Sequence, residues 1–441
     1  VVEILFTTQS LCPYCLKKIP ARYEIEHNQV YFYKECDEHG PFRVLFWRDA
    51  VHYQKWRKQS VHAPKQSEGK VSQQGCPYDC GLCGEHEGGI CTAVLEITYR
   101  CNLECRICFA DATKACFEPG LDEIEKMYKT VLHNGSRCSI QLSGGEPTVR
   151  EDLPQIIALG KEMGFPHIQV NTNGLKIAED LSYLRSLKNA GADLIYLQFD
   201  GTTDQIYEQI RGKKLCAIKQ RAIENCKEIG IGVLLVPTVI PKINLDNIGE
   251  IIRFAKQHMP VVKGVHFQPV SYFGRYPGKI PLDDDRVSLY DVIREMEAQT
   301  HGEIAANDIV PRKRYDAHCA FSSLYYLAET GMLQAITEEG QNAISDATTD
   351  FAQKTNAFTN AHWRLNAPEQ ENSDSRMAKF TARLKDYTLS ITGMGFADVW
   401  NLDLKRLKGC CAHVITQDGR AVPLCAFHVT GVNGKRLYQN G

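Results

Sequence analysis

No apolar run in this chain approaches the roughly 20 residues that span a bilayer; the longest, such as Ile231 to Ile240, is far shorter. A membrane-spanning protein is excluded on that count. Net charge is also nearly absent, with 51 Lys plus Arg against 53 Asp plus Glu and a formal charge of -2. The balance gives no electrostatic case for nucleic acid or an anionic membrane surface, although a local basic patch is compatible with it. The first residues lack a basic segment followed by an apolar one, so the cytoplasm is the expected compartment. No internal repeat is visible. Apolar residues at 43% and charged residues at 24% exclude disorder and collagen, leaving a globular chain with material for a large core. The residue in excess is cysteine: 18 of 441, in tight local groups. In a reducing compartment clustered thiols read as metal ligands rather than as the disulfides of a small secreted domain.

Three regions separate by composition. Residues 1–57 form a small Cys/His unit with aromatic strands, among them Val30 to Tyr33 and Val44 to Trp47. Residues 58–92 hold a polar connector, KQSVHAPKQSEGKVSQQ, followed by a first group of thiols. From 93 to about 275, short β-branched runs alternate with helical periodicity, the pattern of βα units on a parallel sheet. Six strands are expected, at Ala93–Thr98, Cys138–Leu142, His167–Asn171, Asp193–Phe199, Gly232–Val239 and Val265–Pro269. Helices are expected near 120–134, 151–163, 178–190, 215–229 and 245–258, with right-handed crossovers. The fold class is therefore α/β, an incomplete (β/α)6 barrel, and chemistry belongs at the C-terminal strand ends. Residues 276–441 read as helices near 284–299 and 376–387, a polar loop over Asn366–Asp374, and a β-like tail from Ala412 to Val429.

Directly after the first strand stands Cys101-Asn-Leu-Glu-Cys105-Arg-Ile-Cys108. A cubic [4Fe-4S] cluster has four irons, so three local thiolates leave one iron able to bind a small molecule. A structural zinc site would normally close all four positions. This CxxxCxxC loop after strand one of an α/β barrel resembles the radical S-adenosylmethionine superfamily. The resemblance implies that the open iron chelates the methionine amino and carboxylate groups, and that an electron cleaves the sulfonium to a 5′-deoxyadenosyl radical that abstracts hydrogen from substrate. Cys101, Cys105 and Cys108 would then be the catalytic cluster ligands. Ser143-Gly144-Gly145-Glu146-Pro147, straight after strand two, looks like the same family's GGE motif, although an ordinary turn also reads this way. Asn173 in NTNG and Asp200 in DG, with Arg211 beyond, lie where the family places polar contacts to the cofactor; Asx-Gly pairs are also common turns.

Further thiols suggest further metals. Cys76, Cys80, Cys83 and Cys91 fall within 16 residues and suit a second [4Fe-4S] cluster, or a four-Cys zinc site. Cys12 and Cys15 pair with Cys36 and His39 across a β-like stretch, a ligand set for zinc or a rubredoxin-like iron, with a thioredoxin-like CxxC as the competitor. Cys319, Cys410 and Cys425, with Cys411 as fourth ligand or bystander, would assemble a third cluster; buried unligated thiols are the alternative. Cys116, Cys138, Cys216 and Cys226 have no ligand-like spacing.

The order CPxC, CxxHG, CPxxCGxC, AVLEITYRCNLECxxCFA, GGEP and DGRAVPLCAF resembles the tetraether synthase and radical pterin methyltransferase family, over most of the chain. That resemblance implies a radical cluster, two further [4Fe-4S] clusters and a rubredoxin-like site, with a low-potential donor such as ferredoxin or flavodoxin. Arg106 stands where the family motif has a small residue or proline. The function expected first is carbon–carbon bond formation on a lipid alkyl chain, which is compatible with peripheral membrane contact; the alternative is alkylation or methylation of a pterin-type small molecule. A radical is needed because a saturated C–H bond offers no acidic proton. A lipid requires a long apolar tunnel, a pterin a compact pocket with amide or carboxylate partners. Tyr272, Arg275 and Tyr276, after strand six, are expected near the barrel mouth. A peptide-modifying radical enzyme and, outside the class, an iron–sulfur electron carrier are the rivals.

Overall fold

A computed structural model describes residues 2–59, 73–81, 83–87, 89–112, 118–134, 137–276, 280–312, 316–336, 362–365, 383–384 and 386–438. Cys116, the loop at Asn366–Asp374 and most of the helix expected at 376–387 lie outside these residues. The N-terminal unit is an antiparallel meander of β1 (Glu3–Leu11), β2 (Lys18–Glu26), β3 (Gln29–Cys36) and β4 (Gly40–Trp47), followed by α1 (Ala50–Arg57). Its alternation is clean: Ile19, Ala21 and Tyr23 of β2 and Val30, Phe32 and Cys36 of β3 turn inward. The two-residue turn His27-Asn28 has both residues at positive φ, the geometry that joins tightly paired strands. An up-down meander puts the β1–β2 and β3–β4 loops at the same end, and those loops carry all four expected ligands.

The main sheet begins with β5 (Thr92–Thr98), β6 (Ser139–Gly144), β7 (Ile168–Thr172), β8 (Leu194–Gln198) and β9 (Gly232–Val236), then β10 (Thr238–Val239) and β11 (Val262–Pro269). Strands β5, β6, β7, β8, β9 and β11 are neighbours in that order and parallel, as expected for six βα units. Each observed strand starts within three residues of its expected position. The connecting helices are α2 (Leu121–His133), α3 (Leu153–Glu162), α4 (Leu175–Glu179), α5 (Leu181–Asn189), α6 (Asp204–Arg211), α7 (Cys216–Ile229) and α8 (Ile248–Gln257). The helix expected at 178–190 is split at Asp180, whose carboxylate accepts from Tyr183 N and so starts a new helix.

Beyond 275 the chain adds to the same sheet. α9 (Leu289–Gln299) starts at a Ser288 cap, five residues later than the sequence suggests, because Asp283–Asp285 form a separate tight turn. Then come β12 (Val310–Pro311), β13 (Ala320–Leu327), β14 (Leu333–Ala335), β15 (Thr388–Met394), α10 (Leu404–Lys408), β16 (Ala412–Ile415), β17 (Ala421–Pro423) and α11 (Leu424–His428). β15 lies parallel beside β11, and β16 lies parallel beside β5. The tail expected to be β-like as far as Val429 turns helical at Leu424, directly after Pro423, whose fixed φ suits a helix start. The N-terminal unit docks on α10: Thr8 Oγ1 and Tyr23 OH donate to Asp403, which also caps that helix. No helix among the described residues is long and apolar enough to cross a membrane.

Candidate active site and metal centres

The loop after β5 is pinned from three sides. Gly145 N donates to Thr98 O at 2.7 Å and Glu146 N to Arg100 O at 2.9 Å, which fixes the chain one residue before Cys101. Asn173 Nδ2 donates to Asn102 Oδ1 at 2.7 Å. At the far end Cys108 and Arg275 exchange backbone hydrogen bonds of 2.9 and 3.0 Å, and Arg275 Nε donates to Cys105 O at 3.0 Å. Cys101, Cys105 and Cys108 all line one cleft at the C-terminal strand ends, which opens to solvent and encloses a cavity of about 210 Å³. Burial pushes the Cys101 thiol up to about 12 and raises Cys108 as well. Such thiols are poor anions by themselves, and a bound cation reverses that by drawing off the proton. Among the described residues these three are the thiols that line the cleft, and three thiolates fit an iron–sulfur cluster that keeps one iron open.

Glu146 lines the same cleft but is only 1% exposed. Its Oε1 accepts from Thr148 Oγ1 (2.6 Å), Thr172 Oγ1 (2.7 Å) and Thr148 N (3.1 Å), and its Oε2 from Asn173 N (2.6 Å). Burial raises its pKa against those hydrogen bonds. The carboxylate therefore ties the end of β6 to the end of β7. Gly144, at φ +119°, and Gly145 let β6 close on β5: a Cβ on either would overlap the carbonyl oxygen of Thr98 or of Arg100. Asn173 lines the cleft, and its carbonyl accepts from the buried Lys219 ammonium at 2.6 Å; burial draws that lysine down to about 8.

Asp200 is fully buried and does not line the cleft. Its oxygens accept from Arg211 Nε at 2.7 Å and Nη2 at 2.8 Å, so it holds Arg211 in the cleft wall. Arg106 is exposed, so its charge stays in water. Arg275 lines the cleft, whereas Tyr272 and Tyr276 pack on each other with Tyr272 OH on Asp285 O, outside the lining.

In the N-terminal unit Cys12, Cys15, Cys36 and His39 each place a donor atom within 4.8 Å of the others. Burial pushes Cys12 up to about 11. Burial opposes ionisation of Cys36 too, but hydrogen bonds from His39 and the Glu38 backbone outweigh it and bring Cys36 down to about 7. Tyr14 stacks on the His39 ring with centroids 5.2 Å apart. This is a closed tetrahedral donor set for one ion, and Cys3His is a structural zinc composition. Because metal binding here is folding energy, Cys36→Ser is expected to lose the chelator-resistant metal from this unit and to lower the melting temperature by several degrees. Metal analysis and calorimetry check this.

The remaining thiols divide differently from their spacing. Cys76, Cys80 and Cys83 line a small recess against Leu407, Lys408 and Pro423. Cys91 is not with them; its sulfur is paired with Cys411, Cα atoms 5.2 Å apart. The reason is strand pairing, since Thr92 sits opposite Ala412 in the β5–β16 ladder and the residues just before each are brought side by side. Cys319 and Cys410 pack against this pair. Cys425, on α11, lies close enough that Cys319 helps raise its thiol, together with burial, to about 12. Arg406 donates to Cys319 Sγ at 3.1 Å. Cys138 and Cys226 are buried packing residues, and Cys216 packs beside the triad against Leu103 and Tyr207.

Sequence reasoning missed the floor of the cleft. Gln141 of β6, Asn171 of β7, Tyr196 and Gln198 of β8 and Gln268 of β11 all face it. The signal was present as polar residues at alternate positions inside otherwise apolar parallel strands, which are normally apolar on both faces.

The radical SAM superfamily model matches residues 95–255, and the HMPTM N-terminal zinc ribbon domain model matches residues 4–48. The chain is 36% identical over 474 residues to a 7,8-dihydro-6-hydroxymethylpterin dimethyltransferase of Methanocaldococcus jannaschii, covering 96% of this chain and 93% of that protein. It is 33% identical over 183 residues to a probable GTP 3′,8-cyclase of Methanococcus vannielii, covering 40% of this chain and 58% of that one. Among solved structures, Streptococcus suis SuiB bound to S-adenosylmethionine overlaps 48% of this chain and 47% of its own at 17% identity and a TM-score of 0.40, too slight to add to the assignment. With a triad, a strand order and a Cys3His unit that agree, the chain belongs to the radical S-adenosylmethionine superfamily, carries an N-terminal zinc ribbon, and is a radical S-adenosylmethionine enzyme.

Proposed function

We propose that this enzyme methylates a reduced pterin. The observation that carries the proposal is the cleft floor: four amides and a phenol, Gln141, Asn171, Gln198, Gln268 and Tyr196, converge from neighbouring strands beneath the thiol triad. Amides present donors and acceptors side by side, the complement of a pyrimidinone edge. Val236, Val270 and Phe273 supply apolar walls for a flat ring. A lipid alkyl chain, the reading favoured from sequence, offers this polar floor no hydrogen-bond partner, whereas amides that already bond to protein groups, Asn171 to Gln169, Gln198 to Lys219 and Gln268 to Tyr196, keep further donors and acceptors for a polar ring. The relative that spans nearly the whole chain, a pterin dimethyltransferase by name, supports the same reading.

When bound at Cys101, Cys105 and Cys108, the cluster supplies the electron that breaks a carbon–sulfur bond of S-adenosylmethionine. The protein's own part is positioning. Glu146 fixes the loop that abuts the triad, the Asp200–Arg211 pair presents a fixed cation in the wall, and the amide floor orients the ring. The electron comes from a low-potential donor such as ferredoxin or flavodoxin, and the thiols at Cys76–Cys83 and Cys319–Cys425 hold auxiliary iron–sulfur clusters.

Gln141→Leu and Gln268→Leu are each expected to raise KM for 7,8-dihydro-6-hydroxymethylpterin about 5- to 100-fold, the worth of one lost hydrogen bond in a closed site. Substrate-free 5′-deoxyadenosine formation stays unchanged. Steady-state kinetics with dithionite as reductant checks this, and equal KM values in wild type and both variants would remove the pterin floor from the account.

A further inference from the structure

The recess formed by Cys76, Cys80 and Cys83 lacks the fourth thiol that spacing assigned to it, because Cys91 lies against Cys411 instead. Another side chain faces that recess. His86 follows Cys83 by three residues, and its amide donates to Cys83 O at 2.9 Å, a turn that keeps it at the recess the thiols line. It is 6% exposed, lines the same recess, and its Nε2 is buried without a hydrogen-bond partner. The ring also hydrogen-bonds to the backbone of Cys410 and packs edge-on to His413, 4.9 Å away. A ligating imidazole characteristically has one nitrogen held by a carbonyl, which fixes the tautomer, while the other nitrogen's lone pair points at the metal.

We propose that His86, in place of Cys91, is the fourth protein ligand of an iron–sulfur centre at Cys76, Cys80 and Cys83, and that Cys91 stands at the second centre, whose four positions are filled from among Cys91, Cys319, Cys410, Cys411 and Cys425. Only the N-terminal quartet gathers its donors within 4.8 Å of one another among the described residues. The wider spread around the recess suits a polynuclear cluster rather than a single ion. An imidazole in place of a thiolate makes the centre less negative and raises its potential, as it does where histidines replace cysteines on [2Fe–2S] centres. The Cys410 contact joins the His86 ring to a ligand of the second centre, so the two auxiliary sites share a short polar path. This inference is independent of which substrate the cleft takes.

The test uses the full chain carrying Cys101→Ala, Cys105→Ala and Cys108→Ala, so that no cofactor nitrogen can bind iron. It is reconstituted with ⁵⁷Fe, labelled with ¹⁵N-histidine, reduced with dithionite and examined by pulsed EPR. About eight irons per chain are expected, with one auxiliary signal showing strong nitrogen coupling. His86→Cys should keep the iron and lose the coupling. Cys91→Ser should alter the other signal and leave the coupled one intact. Absence of nitrogen coupling in the labelled parent, which needs no substitution at His86, overturns the assignment. Persistence of the coupling in His86→Cys, or its loss in Cys91→Ser, overturns it equally.

Discussion

Replacing any one of Cys101, Cys105 or Cys108 by Ala is expected to remove about four irons per chain and to bring 5′-deoxyadenosine formation to the rate of the enzyme-free mixture. Among the described residues the loop carries no further thiol. The thiol that packs beside it, Cys216, sits at the first position of α7 and hydrogen-bonds through its backbone to Asp204. Cys216→Ala therefore serves as the control and should retain iron and activity. The backbone that carries the triad is held from both ends, by Gly145 and Glu146 on one side and Arg275 on the other. Loss of a thiol is therefore a local loss of a ligand, and the rest of the fold should melt as the unsubstituted apoprotein does.

Gly145→Ala should be nearly as damaging without touching a ligand. Its new Cβ would overlap the carbonyl carbon and oxygen of Arg100, which are backbone atoms and cannot rotate aside. The strand must move, and with it Cys101, the next residue. Displacement by about 1 Å at a reacting centre costs about 10²-fold in rate, and overpacking destabilises by roughly 1–3 kcal/mol. Gly212→Ala is the control for a Cβ without a clash: Gly212, unlike Gly145, stands at positive φ, but a Cβ there meets nothing within 4 Å, so only the backbone penalty of about 1 kcal/mol remains. Measuring 5′-deoxyadenosine formation and melting temperature for both separates the two effects. A Gly145→Ala enzyme with unchanged cleavage would show that the β5–β6 contact does not position the triad.

The barrel strands were legible because parallel strands buried on both faces read as unbroken apolar runs, and Val233, Leu234, Leu235 and Val236 are a clear case. That the three thiols meet in one cleft was legible because all of them lie on one loop. What was not legible depends on pairing across hundreds of residues. Nothing local to Cys91 announces that β16 will lie beside β5 and bring Cys411 to it. The same distance hides the role of Arg275, whose contacts to the thiol loop come from the far end of the barrel. Asp200 misled for a different reason: the Asp-Gly pair after β8 suggests a loop ligand, yet its partner Arg211 lies eleven residues on, and the pair closes on itself in the interior. The burial of His86 beside the Cys76–Cys83 recess was not legible either, because a lone histidine three residues after Cys83 carries little weight until its environment is known.

The central claim is that Cys101, Cys105 and Cys108 hold a cluster whose fourth iron is left for S-adenosylmethionine. It is tested most directly by electron–nuclear double resonance on the reduced, reconstituted enzyme given S-adenosylmethionine labelled with ¹⁵N at the methionine amino group. The account predicts a strong ¹⁵N coupling that appears only with the labelled cofactor and vanishes in Cys105→Ala. A cluster signal that shows no coupling to the added cofactor, or one whose fourth iron is held by a protein side chain, would contradict it.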